Sequence, residues 1–191
     1  TLLVVASIAI GVFAVGMIAA SYVIIPEAMN TSYSGSDPAN ISIITDDLDQ
    51  DFIERIRRLE GVAEAEGRRQ LSVRVRVGSG EWTSIDLTVI PDFEDQRINR
   101  LHAEFGQAIP DDNELILLTE ALEELNTEVG DTLEIQLVDG TLKSMPVVGT
   151  VRDRTSGIDG IVFKKKGFVT FGTLEWLHES PNYNQIVVRL A

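Results

Sequence analysis

The sequence contains no cysteine, and basic and aromatic side chains are scarce. Its 191 residues include two His. There are 16 Lys and Arg residues and 30 Asp and Glu residues, which gives a formal net charge of −14. Without cysteine the chain can form no disulfide and has no thiol nucleophile, and its redox compartment cannot be read from the sequence. The acidic balance disfavours nucleic-acid binding, which needs a basic surface that displaces counterions, and it disfavours adsorption to anionic lipid.

Patterns of catalytic and metal-binding residues are also missing. His102 and His178 are far apart and belong to no H-x-x-x-H pattern, so they supply no zinc site without ligands from elsewhere in the chain. Neither a G-x-S-x-G nucleophile motif nor a phosphate-binding P-loop is present. We therefore predict a non-enzymatic protein with no catalytic, cofactor-binding or metal-binding residues.

Two acidic runs need another explanation. Asp47, Asp49 and Asp51 resemble the start of a calcium loop, but Phe52 and Arg58 stand where an EF-hand needs glycine and glutamate. Acidic residues at this place are explained by capping of the following helix and by its dipole.

The second acidic run contains Glu123 and Glu124. On a helix these neighbours point about 100° apart, so they do not form an acid–base pair. We expect them on a solvated helix face, with Leu122 and Leu125 facing inward.

The first part of the chain is strongly apolar. Residues Leu2–Ile25 include no charged side chain, and about 20 apolar residues suffice to cross a bilayer. We predict a transmembrane helix rather than a signal peptide, whose apolar region is shorter and follows a basic flank. Small residues at helical spacing indicate contact with another transmembrane helix, and they are Ser7, Gly11, Gly16 and Ala20.

Charge predicts the orientation of this helix. The first basic residue after the apolar run is Arg55, whereas cytoplasmic flanks favour Lys and Arg. We therefore expect a cell-membrane protein in which residues after about 26 are extracytoplasmic. Because the sequence starts at Thr1 and ends at Ala191 directly after a strand-like run, we also expect it to be part of a longer polypeptide.

The rest of the sequence alternates between strand and helix patterns, which predicts an α+β fold. A linker containing S-G-S-D-P leads to a strand at Ile41–Thr45 and a helix over 52–61, with Phe52, Ile56 and Leu59 on one face.

Alternation over 71–77 and 85–89 predicts an antiparallel pair of strands, in which Arg74 or Arg76 could pair with Asp86 or Glu81.

The segment 92–105 has the pattern of an irregular or helical link. Asp139-Gly140 predicts a hairpin turn, and Pro146 indicates an edge position or a bulge in its second strand. Lys164-Lys165-Lys166 is interpreted as a solvated loop.

The order of these elements resembles a known family. The start "LLVVASIAIGVFAVGMIAA" is similar to the first transmembrane helix of MacB-like and FtsX-like ABC transporter permeases, and "GFVTFGTLEWLHESPNYNQIVVRL" is similar to the last strand–helix–strand of their periplasmic core domain. Between them lies a unit in which an acidic residue opens a strand, a small helix follows, and a G-D turn leads to a hairpin ending in V-V-G. Its residues are Asn113, Glu114, Gly130, Asp131, Val147, Val148 and Gly149.

The resemblance implies a division of the chain into four segments. Residues 1–33 would be the transmembrane and stalk helix, 40–112 the first half of a porter-like α/β part, 113–152 an inserted β-rich, Sabre-like part, and 153–191 the second half of the porter-like part. The family's three further transmembrane helices and the nucleotide-binding domain are not in this sequence.

The resemblance also implies a function and partners. Such permeases associate with a cytoplasmic ATP-binding subunit, form dimers in the lipid bilayer, and couple ATP-driven conformational change to export or to mechanotransmission outside the membrane, with an extracytoplasmic adaptor or cargo. Two alternatives remain at this point, a membrane-anchored extracytoplasmic ligand-binding module and an anchored enzyme.

Overall fold

The computed structural model describes residues 10–19, 35–78, 80–153 and 165–191. The chain divides into two compact units, Thr1–Gly35 and Ser36–Ala191. In the first unit, residues 10–19 form an exposed helix, α1. Among the described residues no helix combines the length and the apolar character needed to cross a membrane. Most of the predicted span, Leu2–Ile25, lies outside the described residues.

The second unit mixes strands and helices, as predicted. In chain order its described elements are β1 (Ile41–Leu48), α2 (Gln50–Arg57), β2 (Val62–Arg76), β3 (Trp82–Ile90), β4 (His102–Gly106), β5 (Leu115–Leu118), α3 (Thr119–Leu125), β6 (Thr132–Gln136), β7 (Leu142–Arg152), β8 (Lys166–Thr170), α4 (Thr173–Trp176) and β9 (Tyr183–Leu190).

The long strand β2 belongs to two groups of strands. Its first half pairs antiparallel with β9, as far as Arg68 opposite Gln185, and β9 pairs antiparallel with β1. Its second half pairs antiparallel with β3, starting at Arg69 opposite Val89. We call β1, β9, the first half of β2 and the covering helix α2 the terminal sheet.

The second half of β2 takes part in a closed ring of six strands. The pairings run from β2 to β3, β8, β5, β7 and β6, and β6 pairs back with β2 through Val75 opposite Ile135. The pairs β3–β8 and β5–β7 are parallel, and the other four are antiparallel. This ring contains the main hydrophobic core, whose largest fully buried side chains include Leu87, Leu117, Ile135 and Phe168.

The terminal sheet has a smaller core. Helix α2 begins at the N-cap Asp49, whose carboxylate accepts a hydrogen bond of 2.7 Å from the backbone N–H of Phe52, which confirms the predicted capping role for this residue. The helix buries Ile53 against Ala65, Ile186 and Val188. The predicted helix over 52–61 was too long at its end, because α2 ends at Arg57; Leu59 therefore lies beyond the helix and is 55% exposed.

The predicted strand–helix–turn unit over 113–135 is confirmed. The apolar run forms β5, and α3 follows it directly. Ala121 and Leu125 are buried, Leu122 is half-buried, and the side chains of Glu123 and Glu124 are exposed.

The predicted hairpin at Asp139-Gly140 is also confirmed. The N–H of Leu137 donates to the carbonyl of Thr141 at 2.9 Å, and Gly140 has φ +85°, a conformation that glycine adopts without strain. Pro146 is the last residue of β7 that pairs with β6, immediately before β5 begins to pair on the other side of the strand. Strand β7 is not an edge strand, since β4 and β5 both pair with Gly149–Val151, and the shifted register between Val147 and Gly149 agrees with the alternative prediction of a bulge.

The arginines of β2 have partners other than those considered from the sequence. Arg74 donates to the Gln136 side chain at 2.9 Å, and Arg76 forms an ion pair of 2.7 Å with Glu134. Asp86 instead accepts a hydrogen bond from Ser72. The reason is closure of the ring, because β6 pairs with residues 74–76 of β2 along the edge opposite β3.

The segment 92–105 is irregular as far as Leu101 and then forms β4. Ile98 of this segment is fully buried.

Candidate functional site

The four residues predicted to contact another transmembrane helix fall only partly within the described chain. Gly11 and Gly16 lie on α1, and a Cβ atom at either position would have no neighbour within 4 Å. Because they are five residues apart, they point about 140° away from each other around the helix. Ser7 and Ala20 lie outside the described residues.

The two histidines make separate side-chain contacts and do not come together. His102 Nε2 is 2.9 Å from Ser36 Oγ, and His178 Nδ1 is 3.2 Å from Asp139 Oδ2. The described residues contain no group of three or more His, Asp or Glu side chains placed to bind a metal ion. Within the described part of the chain, neither histidine therefore belongs to a group that could hold a metal ion.

The lysine run is not a uniformly solvated loop. Lys165 Nζ donates to Thr83 Oγ1 at 2.7 Å. Lys166 begins β8, forms a 3.6 Å ion pair with the buried Asp153, and lies 5.3 Å from the centroid of the Phe168 ring. Burial lowers the pKa of Lys166. The interpretation of these residues as solvated was therefore wrong for Lys166, and Lys164 lies outside the described residues.

The turn residues on which the family resemblance depends have roles in the backbone geometry. Gly130 has φ +103°, and Asp131 Oδ2 accepts a hydrogen bond of 2.8 Å from the N–H of Glu128. A Cβ atom on Gly149 would lie 2.2 Å from the carbonyl oxygen of Gln107, so the two backbones meet directly. The motif thus has a steric explanation in this fold.

The first residues of the second unit are held by a network of hydrogen bonds and ion pairs, which is the candidate functional site. Residues 36–40 contact both the segment 99–102 and the end of β9, residues 188–190, and we call these three segments the clasp. Arg100 N–H donates to the carbonyl of Ser36 at 2.8 Å, and Asn99 N–H donates to the carbonyl of Asp37 at 2.9 Å.

Side chains complete the clasp. Asp37 Oδ1 accepts from Arg189 Nη1 at 2.9 Å, and Asn40 Oδ1 accepts from the N–H of Leu190 at 2.8 Å. Asn99 Oδ1 accepts from the N–H of Ala39 at 2.8 Å. Asp37 and Asn99 both have positive φ, 46° and 50°, in which Asp and Asn are tolerated better than most residues. The clasp therefore binds the first residues of the unit to its last strand.

A second set of contacts joins the terminal sheet to the ring, and we call it the junction. Arg69 forms ion pairs of 2.9 Å with Asp47 of β1 and 3.1 Å with Glu179, which follows α4. Its side chain is only 11% exposed, and its hydrogen bond lowers the pKa of Asp47. Close by, the ring of Tyr183 packs on Gly67, where a Cβ atom would lie 2.7 Å from the aromatic carbon Cγ.

Two further contacts strengthen the junction. The N–H of Gln70 donates to Asn184 Oδ1 at 2.7 Å, and Asn184 Nδ2 donates back to the carbonyl of Gln70 at 2.8 Å. The buried Arg68 donates to the carbonyl of Ile98 at 2.5 Å. Clasp and junction together make a continuous path from residues 36–40 through the terminal sheet to the ring.

Sequence reasoning missed both sets of contacts. It interpreted the segment with Ser36, Asp37 and Pro38 as a linker, although Asp and Asn at positions that tolerate positive φ were an available signal for an ordered turn. Asp37 and Arg69 each have a partner more than 100 residues away along the chain, Arg189 and Glu179 respectively. No local pattern reveals such pairs.

Comparison with known proteins agrees with this fold. A family model described as the MacB-like periplasmic core domain matches residues 1–191. The periplasmic region of MacB from Actinobacillus actinomycetemcomitans is 14% identical, with a TM-score of 0.50, and the match covers 80% of this chain and 67% of that chain.

The extracellular domain of the noncanonic ABC-type transporter YknZ from Gram-positive bacteria is 16% identical, with a TM-score of 0.52, and the match covers 81% of this chain and 80% of that chain. At these identities the likeness shows the fold alone. No curated protein matches the sequence.

Proposed function

Because the chain belongs to the MacB-like periplasmic core domain family, we propose that it is the first transmembrane helix and the extracytoplasmic domain of an ABC transporter permease subunit. Residues 1–33 are the transmembrane and stalk helix, and residues after about 26 lie outside the cell membrane. Residues 40–112 and 153–191 form the porter-like part, and 113–152 form the inserted Sabre-like part.

In this proposal the domain couples ATP-driven change in the membrane to export or to mechanotransmission. ATP is hydrolysed in a separate cytoplasmic subunit, and a second permease protomer completes a dimer in the lipid bilayer. An extracytoplasmic adaptor or cargo is the further partner.

The clasp is the observation that supports this role. A displacement of the chain before Ser36 acts first on Asp37 and Asn40, which are bonded to Arg189 and Leu190 of β9. Strand β9 pairs with β2, and β2 continues into the ring. A displacement of residue 36 should therefore move the whole second unit, because residues 36–40 are bonded to it and do not form a flexible linker.

The test uses the complete permease dimer with its ATPase in nanodiscs. The 191 residues contain no cysteine, so a spin label at Ser84→Cys, an exposed position of β3, is the sole label within this part of the chain. We expect the distance between the two labels to change on addition of a non-hydrolysable ATP analogue. Asp37→Ala with Arg189→Ala should reduce that change while ATP hydrolysis continues.

The control is Arg152→Ala, which removes a half-exposed ion pair with Glu104 on the far edge strand β4. It should leave the nucleotide-dependent change in distance intact. If the label-to-label distance in the unmodified dimer does not change on addition of nucleotide, the proposal is overturned in favour of an anchored binding module. If the nucleotide-dependent change in distance is the same in the clasp variant and in the control, the clasp has no part in the mechanism.

A further inference from the structure

The two strands at the ends of the described sheet order, β1 and β4, differ in how their free edges are protected. All residues of β1 from Ile41 to Asp47 are exposed, with Ile41 41%, Ile43 50% and Ile44 66% exposed. Among the described residues β1 pairs only with β9. Within the described chain the other edge of β1 therefore has no strand partner, and the backbone N–H and C=O groups of such an edge can pair with an additional strand.

Strand β1 offers apolar side chains on both of its faces. Ile41 and Ile43 lie opposite Val188 and Ile186, so they share the sheet face that α2 covers further along. Ile44 lies opposite the polar Gln185 on the other face. Pairing with β9 is regular from Ile41 to Ile44, and the first irregularity comes after Ile44. This short stretch is therefore straight enough to accept a neighbour.

Strand β4 lacks these properties. It has five residues, and its pairing with β7 is shifted between Ala103 and Phe105, which indicates a bulge. Arg152 of β7 forms an ion pair of 2.8 Å with Glu104 across the strand pair. Bulges and charged residues are devices that keep an edge from pairing. The exposed Phe105 consequently sits on an edge that is poorly shaped for strand addition.

Charge distinguishes between possible partners of β1. The exposed acids Asp46 and Asp51 follow the apolar stretch, while Asp47 between them is paired with Arg69 and Asp49 caps α2. A second copy would bring the same acids, and each copy has a formal net charge of −14, so like-charge repulsion opposes self-pairing. A strand with basic side chains near this end would instead be attracted.

We propose that β1 binds an extended segment of a partner protein as an added strand, with apolar residues beside Ile41, Ile43 and Ile44 and with Lys or Arg near Asp46 and Asp51. Backbone hydrogen bonds supply affinity in this mode of recognition, and the alternating side chains supply specificity. The inference does not depend on the permease function, because it rests on the edge strand alone.

The probe is the synthetic peptide KVKVKVK, added to the full chain in detergent and followed by hydrogen exchange. We expect slower exchange of the backbone amides of residues 41–44. Ile44→Lys should weaken binding about tenfold or more, since it replaces an apolar contact by a repelling charge. The control Phe105→Lys, at an equally exposed residue on β4, should leave the affinity unchanged.

Three results would overturn the inference. Equal binding of KVKPKVK, in which proline interrupts strand pairing, would show attraction by charge alone. If the acidic peptide EVEVEVE binds as tightly as KVKVKVK, charge does not select the partner strand. Dimerisation of the chain through residues 41–44, detected by cross-linking of an Ile43→Cys variant, would make a second copy the occupant.

Discussion

The ring and the terminal sheet share strand β2 but differ in what holds each together. The ring surrounds a large apolar core with fully buried residues such as Leu117 and Phe168. The terminal sheet buries a small cluster around Ile53, and ion pairs of Arg69 with Asp47 and of Asp37 with Arg189 join it to the ring and to the clasp. We therefore expect the ring to resist deformation and the contacts of the terminal sheet to respond to salt and pH.

The largest expected effect concerns the ring core. Leu117→Ala should lower the free energy of unfolding by about 2–5 kcal/mol, because it leaves a cavity in a fully buried site of β5. Urea unfolding of the full chain, followed by the fluorescence of Trp82 and Trp176, measures this loss.

The control for the ring core is Leu59→Ala. Leu59 is 55% exposed next to α2, so its truncation should change stability by less than about 0.5 kcal/mol. Similar losses for both variants would contradict the assignment of the main core to the ring.

The next effect concerns the junction. Gly67→Ala adds a Cβ atom only 2.7 Å from the Tyr183 ring, and overpacking of this kind costs about 1–3 kcal/mol. Gly35→Ala is the control, because a Cβ atom there has no neighbour within 4 Å. The double variant with Tyr183→Ala should recover part of the loss, and additivity of the two single changes would argue against direct packing.

The same two regions show what the sequence could predict. Local patterns sufficed for β5, α3 and the Asp139-Gly140 turn, because apolar periodicity and turn residues act over a few neighbours. Closure of the ring depends on Arg74–Arg76 of β2 pairing with Glu134–Gln136 of β6, and no local signal specifies that neighbour.

The functional candidate was harder to predict than the fold. The clasp joins Asp37 to Arg189, which are 152 residues apart, and the sequence around Asp37 has the composition of a linker. Charged residues at the surface have many acceptable partners, and composition alone does not choose among them. The family resemblance predicted the domain type but assigned no role to these two residues.

An effect of similar size compares two arginines on β2. Arg69→Met should cost about 1.5–3 kcal/mol, the range for hydrogen bonds to charged groups, because Arg69 is 11% exposed and binds both Asp47 and Glu179. Arg76→Met removes one ion pair with Glu134 in which the arginine is 44% exposed, and it should cost less than about 1 kcal/mol. Urea unfolding measures both losses, and equal values would contradict the view that charges matter more in the terminal sheet and junction.

The smallest effect is a difference in pH response between the two regions. The hydrogen bond from Arg69 lowers the pKa of Asp47, and the hydrogen bond from the N–H of Thr141 lowers the pKa of Asp139 in the β6–β7 hairpin. Because both folded-state values lie below the unfolded ones, each contribution is present above about pH 4 and is lost as the pH falls through the folded value.

Hydrogen exchange at decreasing pH separates these two contributions, once the intrinsic exchange rates are corrected for pH. Asp47→Asn should flatten the acid-induced loss of protection in β1 and β9 and leave the hairpin amides unchanged, and Asp139→Asn should do the reverse. A loss of protection that spreads equally over both regions in either variant would show that the terminal sheet and the ring open together. In that case the charged contacts of the junction would unite the two regions into one cooperative unit, and the distinction between a rigid ring and a responsive terminal sheet would fail.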